Sequence, residues 1–165
     1  MKNKLLYILI FILLIILVTK EYKKINSIKY QNKIIQTYDN YKNIYEGYIE
    51  IPKYNIKRLI KNGTSNKILD NNYVGIMKQN NNLTILVGHN INLVFHKIHY
   101  LKKGDIIYLY QTYKEKYKVI NMKEVNENDS SDLYKNYNDK TLILITCTKD
   151  KNKRYMVIAK QIKNG

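Results

Sequence analysis

The chain has 165 residues, enough for one compact domain and too few for two of ordinary size, and its single cysteine, Cys147, excludes an intramolecular disulfide framework. Lysines and arginines number 29 against 13 aspartates and glutamates, a net charge of +16 that favours anionic surroundings such as lipid headgroups, nucleic acid or acidic wall polymers without choosing among them. Richness in Lys, Asn, Ile and Tyr with no Trp also carries the mark of an AT-rich coding sequence, so part of that charge is compositional. In chain order, Lys2 and Lys4 precede an unbroken apolar run from Leu5 to Val18. At ~1.5 Å per residue this run covers about 21 Å of a hydrocarbon core roughly 30 Å thick, which suits a short anchor with snorkelling lysines. No small-residue cleavage site follows it, so residues 1–19 are expected to form an uncleaved signal anchor rather than a removed signal peptide or a buried core helix. Signal-anchor logic places the remainder outside the cell membrane.

Residues 20–44 carry Ile25, Ile28, Ile34, Ile35 and Tyr38 at a spacing closer to a helix than to a strand, which predicts a stalk helix. From residue 45 to 165 the texture changes to short runs of strand character: YIEI, IKRLI, YVGIM, LTILVG, DIIYLY, YKVINM, TLILIT and RYMVIAKQI. The turn-rich segments between them predict an antiparallel barrel or sandwich of about eight strands. The exception is Asn92 to Leu101, where Val94, Phe95, Ile98 and Leu101 keep a helical spacing that stops at Gly104.

Three histidines could carry chemistry. His96 and His99 lie three apart on the expected short helix, but a metal site needs further ligands and their spacing fits no zinc signature, so no metal or other cofactor is expected. His89 follows a strand and a glycine in LVGHN, where a tight turn can present a side chain at a barrel rim. Cys147 ends another strand, and a symmetric hairpin through TKDKNK would set it opposite Arg154 on the same face. Thiolate, imidazole and guanidinium at three strand ends are the parts of acyl transfer: a nucleophile, a proton shuttle and an oxyanion stabiliser. A lone cysteine in an apolar strand is more often inert packing, so the pattern as a whole has to carry the assignment. Arg58, the only other arginine, is the natural comparison for Arg154.

These residues resemble the sortases, membrane-anchored cysteine transpeptidases of Gram-positive bacteria. The resemblance covers nearly the whole chain, through IPKYNIKRLIKNGTSNKIL, LVGHN, FHKIHYLKKGDIIYL, LILITC and KRYMVIAK. It implies an eight-stranded sortase-like β-barrel with short helices, His89, Cys147 and Arg154 as the catalytic trio, and Thr146 in support of the oxyanion site. It further implies cleavage of an LPxTG-like sorting signal through a Cys thioester and transfer to an amine of a wall precursor or pilin. The substrate peptide is expected beside Cys147, walled by the loop from Asn126 to Asn138 and the turn after Cys147. GHN with Phe95 six residues after the histidine is similar to class B, but the long inserted helix of that class has no room in NENDSSDLYKNYND, so the class stays open. Asp150 and Asn90 are the candidates for orienting His89. Two other functions compete: a non-enzymatic, membrane-tethered basic barrel binding anionic polymer, and a hydrolytic cysteine protease. The tyrosines show no stacking-platform pattern, and nucleic acid is not expected as a partner.

Overall fold

A computed structural model describes residues 2–129, 131, 135–150 and 152–162. One helix, α1 (Lys2–Gln36), takes in both the apolar run and most of the segment expected to be a stalk, without a break between them. Its two halves meet different surroundings. Every residue from Leu5 to Val18 is exposed, and an 18-residue window there has a mean hydropathy of 2.3, making α1 a candidate membrane anchor. Further along, Ile28, Gln31 and Ile34 are buried against the domain, one residue per helical turn on one face. The second half of α1 is therefore docked, and Ile34 joins Tyr45 and Leu59 in a small apolar cluster outside the barrel. A 3₁₀ turn at Tyr38–Tyr41 ends this segment.

Eight strands follow: β1 (Gly47–Ile51), β2 (Ile56–Asn62), β3 (Val74–Gln79), β4 (Leu83–Val87), β5 (Ile106–Tyr110), β6 (Lys114–Asn126), β7 (Thr141–Cys147) and β8 (Lys153–Gln161). They close into a barrel in the order β1-β2-β3-β4-β7-β8-β6-β5. Closure gives each of the eight described strands a neighbour on both sides. The barrel is not wholly antiparallel, because β2 pairs with β3, and β4 with β7, in parallel. Parallel neighbours need crossovers. The first crossover carries a four-residue helix, α2 (Asn66–Leu69), and the second carries β5 and β6. The sixth strand is longer than YKVINM suggests because its first half pairs with β5 and its second with β8, across an irregularity between Val119 and Asn121.

Alternation along β4, β7 and β8 sorts their side chains. Leu86, Leu142, Leu144, Val157 and Ala159 face the interior, which is plugged by Val94, Phe95, Ile98 and Leu101. The expected helix there is a 3₁₀ turn, His96–Tyr100, which suffices to bring those four apolar residues inward. Ile85, Ile143, Ile145, Met156 and Ile158 form a second apolar layer on the outer face, so these strands are buried on both sides and read as continuous apolar runs.

Arg58 of β2 is only 2 % exposed, and its Nε has no hydrogen-bond partner. Burial lowers its pKa to about 10. A desolvated guanidinium without full compensation contributes poorly to stability. Arg58→Met, which keeps an unbranched stem, is expected to raise the unfolding free energy by about 1 to 3 kcal/mol in urea denaturation.

Candidate active site

The strand β7 fixes the geometry of the site, because one of its neighbours carries His89 and the other carries Arg154. On one side Cys147 is the register partner of Arg154 in the antiparallel pair with β8. On the other, the parallel pair ends at Val87 opposite Ile145, and the Gly88 amide donates to the Ile145 carbonyl at 3.1 Å. Continuing that register by two residues on each strand sets His89 beside Cys147. Cys147 is exposed and follows Ile143 and Ile145 in alternation, so it lies on the outer face of the wall at the strand end rather than in the barrel mouth. His89, Cys147, Arg154 and Thr146 line one cleft of about 460 Å³, floored by Val87 and Ile145.

Thr146 faces the other way. It is buried, and its hydroxyl donates to the Gly88 carbonyl at 2.8 Å, tying the end of β7 to the end of β4. Its side chain therefore holds the two strand ends together and is not directed at the cleft. Gly88 is required by its neighbour: a Cβ there would stand 2.6 Å from Cδ2 of Phe95, whose ring is fully buried. The Phe95 amide in turn donates to the His89 carbonyl at 3.1 Å. Gly88→Ala is thus expected to force the plug away from the strand end and to cost about 1 to 3 kcal/mol, read as a lower urea midpoint.

Neither residue expected to orient His89 does so. Asp150 is taken up by the hairpin, where its Oδ1 accepts the Asn152 amide and its carbonyl accepts Thr148 Oγ1. Asn90 Oδ1 is 2.9 Å from His96 Nδ1. The partner of His89 is Asp70, whose Oδ1 lies 3.0 Å from Nε2. Asp70 caps the C-terminus of α2 in the crossover between β2 and β3. Nineteen residues separate it from His89, and only the parallel crossover brings them together.

Arg154 also has an acidic partner that the sequence reading lacks. Its Nη2 donates to Glu127 Oε1, and the Glu127 amide donates to the Asn152 carbonyl at 2.8 Å, joining the end of β6 to the hairpin. Of the loop expected to wall the cleft, Asn126, Glu127 and Asp129 line it, while residues 130 and 132–134 lie outside the described residues. His96 and His99 take separate partners: His99 stacks on Tyr155 with ring centroids 4.5 Å apart. Burial, with a smaller effect from His96, lowers the His99 pKa.

A sortase-domain family model matches residues 49–162, from within β1 to just past the end of β8 and including the cleft. The chain belongs to the sortase family. Among solved structures, sortase A of Listeria monocytogenes is 27 % identical over 72 % of this chain and 88 % of its own, with a TM-score of 0.65. Sortase C1 of Streptococcus agalactiae is 26 % identical over 88 % of this chain and 91 % of its own, with a TM-score of 0.65. A sortase D5 transpeptidase of Clostridium perfringens shares the fold at a TM-score of 0.67 and 24 % identity, covering 86 % of this chain and 99 % of its own. Among curated proteins nothing matches the chain.

Proposed function

We propose that this sortase-family chain is a cysteine transpeptidase that cuts an LPxTG-like sorting signal and joins the new end to an amine. The observation that carries the reading is the alignment of His89, Cys147 and Arg154 at the ends of three adjacent strands around one cleft. The Cys147 thiolate adds to the carbonyl carbon of the signal's threonine, and the oxyanion that forms is held by the Arg154 guanidinium. Collapse breaks the Thr–Gly bond. The departing glycine amine takes its proton from the His89 imidazolium, leaving a Cys147 thioester and a neutral imidazole. An acceptor amine then attacks the thioester and gives its proton to His89, forming the new amide and releasing the thiolate. With Nε2 turned to Asp70, Nδ1 is the nitrogen left to exchange protons at the sulfur.

In this reading the exposed half of α1 is the membrane anchor and the barrel works on the outer side. A sorting signal whose own tail is membrane-held then meets the enzyme in two dimensions, raising its effective concentration without further contacts. The test is product analysis on an LPxTG-like peptide with and without triglycine. A transpeptidase yields the triglycine conjugate, a cysteine protease yields free acid in both cases, and a non-enzymatic barrel leaves the peptide intact.

A further inference from the structure

The residue that holds His89 stands next to a turn gripped by α1. Asp70 is followed by Asn71 and Asn72, the latter buried with a left-handed φ of 63°. The Asn71 carbonyl accepts Ser27 Oγ at 2.6 Å and Gln31 Nε2 at 3.2 Å, and the Asn72 carbonyl accepts Gln31 Nε2 at 3.2 Å. On its other side Gln31 Oε1 accepts the Leu59 amide at 3.1 Å. That amide lies just before β2 begins to pair with β3 at Ile60, so Gln31 supplies the partner that the ladder does not. Gln31 is fully buried and is used as both donor and acceptor.

The relative strengths of these contacts give the arrangement a direction. Asp70 is 68 % exposed at its side chain, and an ion pair that open is worth little in water, so it cannot hold the turn in place. A buried amide bridging two backbone segments can, because removing it strands backbone groups away from solvent. The helix therefore fixes the turn, and the turn sets Asp70 within hydrogen-bonding distance of the imidazole.

We propose that α1 is a positioning element of the active site: Gln31, assisted by Ser27, clamps the Asn71–Asn72 turn and thereby sets Asp70 against His89. The anchor helix is then part of the working enzyme and not only its tether. This inference rests on the transpeptidase reading for its kinetic consequences, and on geometry alone for the linkage itself.

The experiment uses the full chain in lipid nanodiscs with five variants: Gln31→Leu, Ser27→Ala, Asp70→Asn and the doubles Gln31→Leu/Asp70→Asn and Ser27→Ala/Asp70→Asn. Two quantities are read, kcat and KM on an LPxTG-like peptide with triglycine, and the rate at which iodoacetamide alkylates Cys147, which needs no peptide. Asp70→Asn should lower kcat about tenfold, a fraction of what general acid–base catalysis contributes, with KM within about twofold of wild type. Gln31→Leu should lower kcat about fivefold with the same KM, and the double variant should be no slower than Asp70→Asn, because the two act through one linkage. Alkylation should follow the same order.

A folded Gln31→Leu protein with wild-type kcat and alkylation rate overturns the proposal. So does a double variant whose loss is the product of the two single losses. Should Gln31→Leu fail to fold, Ser27→Ala, which removes the bond to the Asn71 carbonyl and a longer one accepted from Gln31 Nε2 while leaving the Gln31 contacts to the turn and to Leu59 in place, decides by its own cycle with Asp70→Asn, where independent losses refute the linkage. A wild-type protein that leaves the peptide intact refutes the transpeptidase reading instead, and the alkylation cycle still decides the linkage.

Discussion

Cys147→Ala is expected to abolish peptide turnover while leaving the protein as stable as wild type. In the proposed mechanism the thiolate acts as a unit with the His89 imidazole, so its loss should reduce kcat by on the order of 10⁵- to 10⁶-fold. Stability should change by less than about 0.5 kcal/mol, because Cys147 is exposed at a strand end and its sulfur fills no core. That exposure separates the two explanations for a lone cysteine in an apolar strand. Core filler would be buried, and its truncation would destabilise; a nucleophile is reachable, and its truncation is silent except in chemistry. Urea titration and peptide cleavage on the same preparation read both effects, and cleavage at the wild-type rate by the alanine variant would end the assignment.

Arg154→Lys is expected to lower kcat by roughly a hundred- to a thousandfold, or about 3 to 4 kcal/mol, the cost of removing one well-placed oxyanion donor. The planar fork is the reason. Arg154 donates through Nη2 to Glu127 and through Nη1 to the Lys153 carbonyl at 3.1 Å, and its side chain lines the cleft beside its register partner Cys147. A lysine ammonium keeps the charge but cannot hold Glu127 and an oxyanion in one rigid plane. Arg58 is no comparison for this, since it is buried in β2 and its replacement would act through the core. Lys160 of β8, paired with Asp139 at an exposed position, is the proper control. If Arg154 were one more surface charge, Arg154→Lys and Lys160→Gln would both stay near wild type, since exposed charges contribute less than about 1 kcal/mol.

The strands were legible because each is a short apolar run bounded by turn residues, and the hairpin between β7 and β8 is short enough that symmetry alone sets Cys147 opposite Arg154. What escaped the sequence are the features that depend on crossovers. Nothing local marks β4 and β7 as parallel neighbours, and that pairing is what aligns His89 with Cys147. Asp70 was invisible for the same reason, since its helix α2 is a single turn with no periodicity to detect. Gln31 interrupts the apolar stripe between Ile28 and Ile34, so a reading by hydrophobic spacing treats it as a solvent position when it is the most buried polar residue of the helix. Arg58 misled by type: arginine is rarely buried, and the alternation that points it inward between Ile56 and Ile60 becomes visible only once the barrel closes.

The proposed mechanism passes through a covalent intermediate at one sulfur, and intact-protein mass spectrometry observes that species directly. Full-length protein mixed briefly with an LPxTG-like peptide in the absence of an acceptor amine should gain the mass of the peptide up to its threonine, less one water. Fragmentation should place that mass on Cys147, and triglycine should discharge it as a peptide–triglycine conjugate. An absence of any adduct under conditions where the peptide is cleaved, or an adduct that survives Cys147→Ala, would contradict the mechanism.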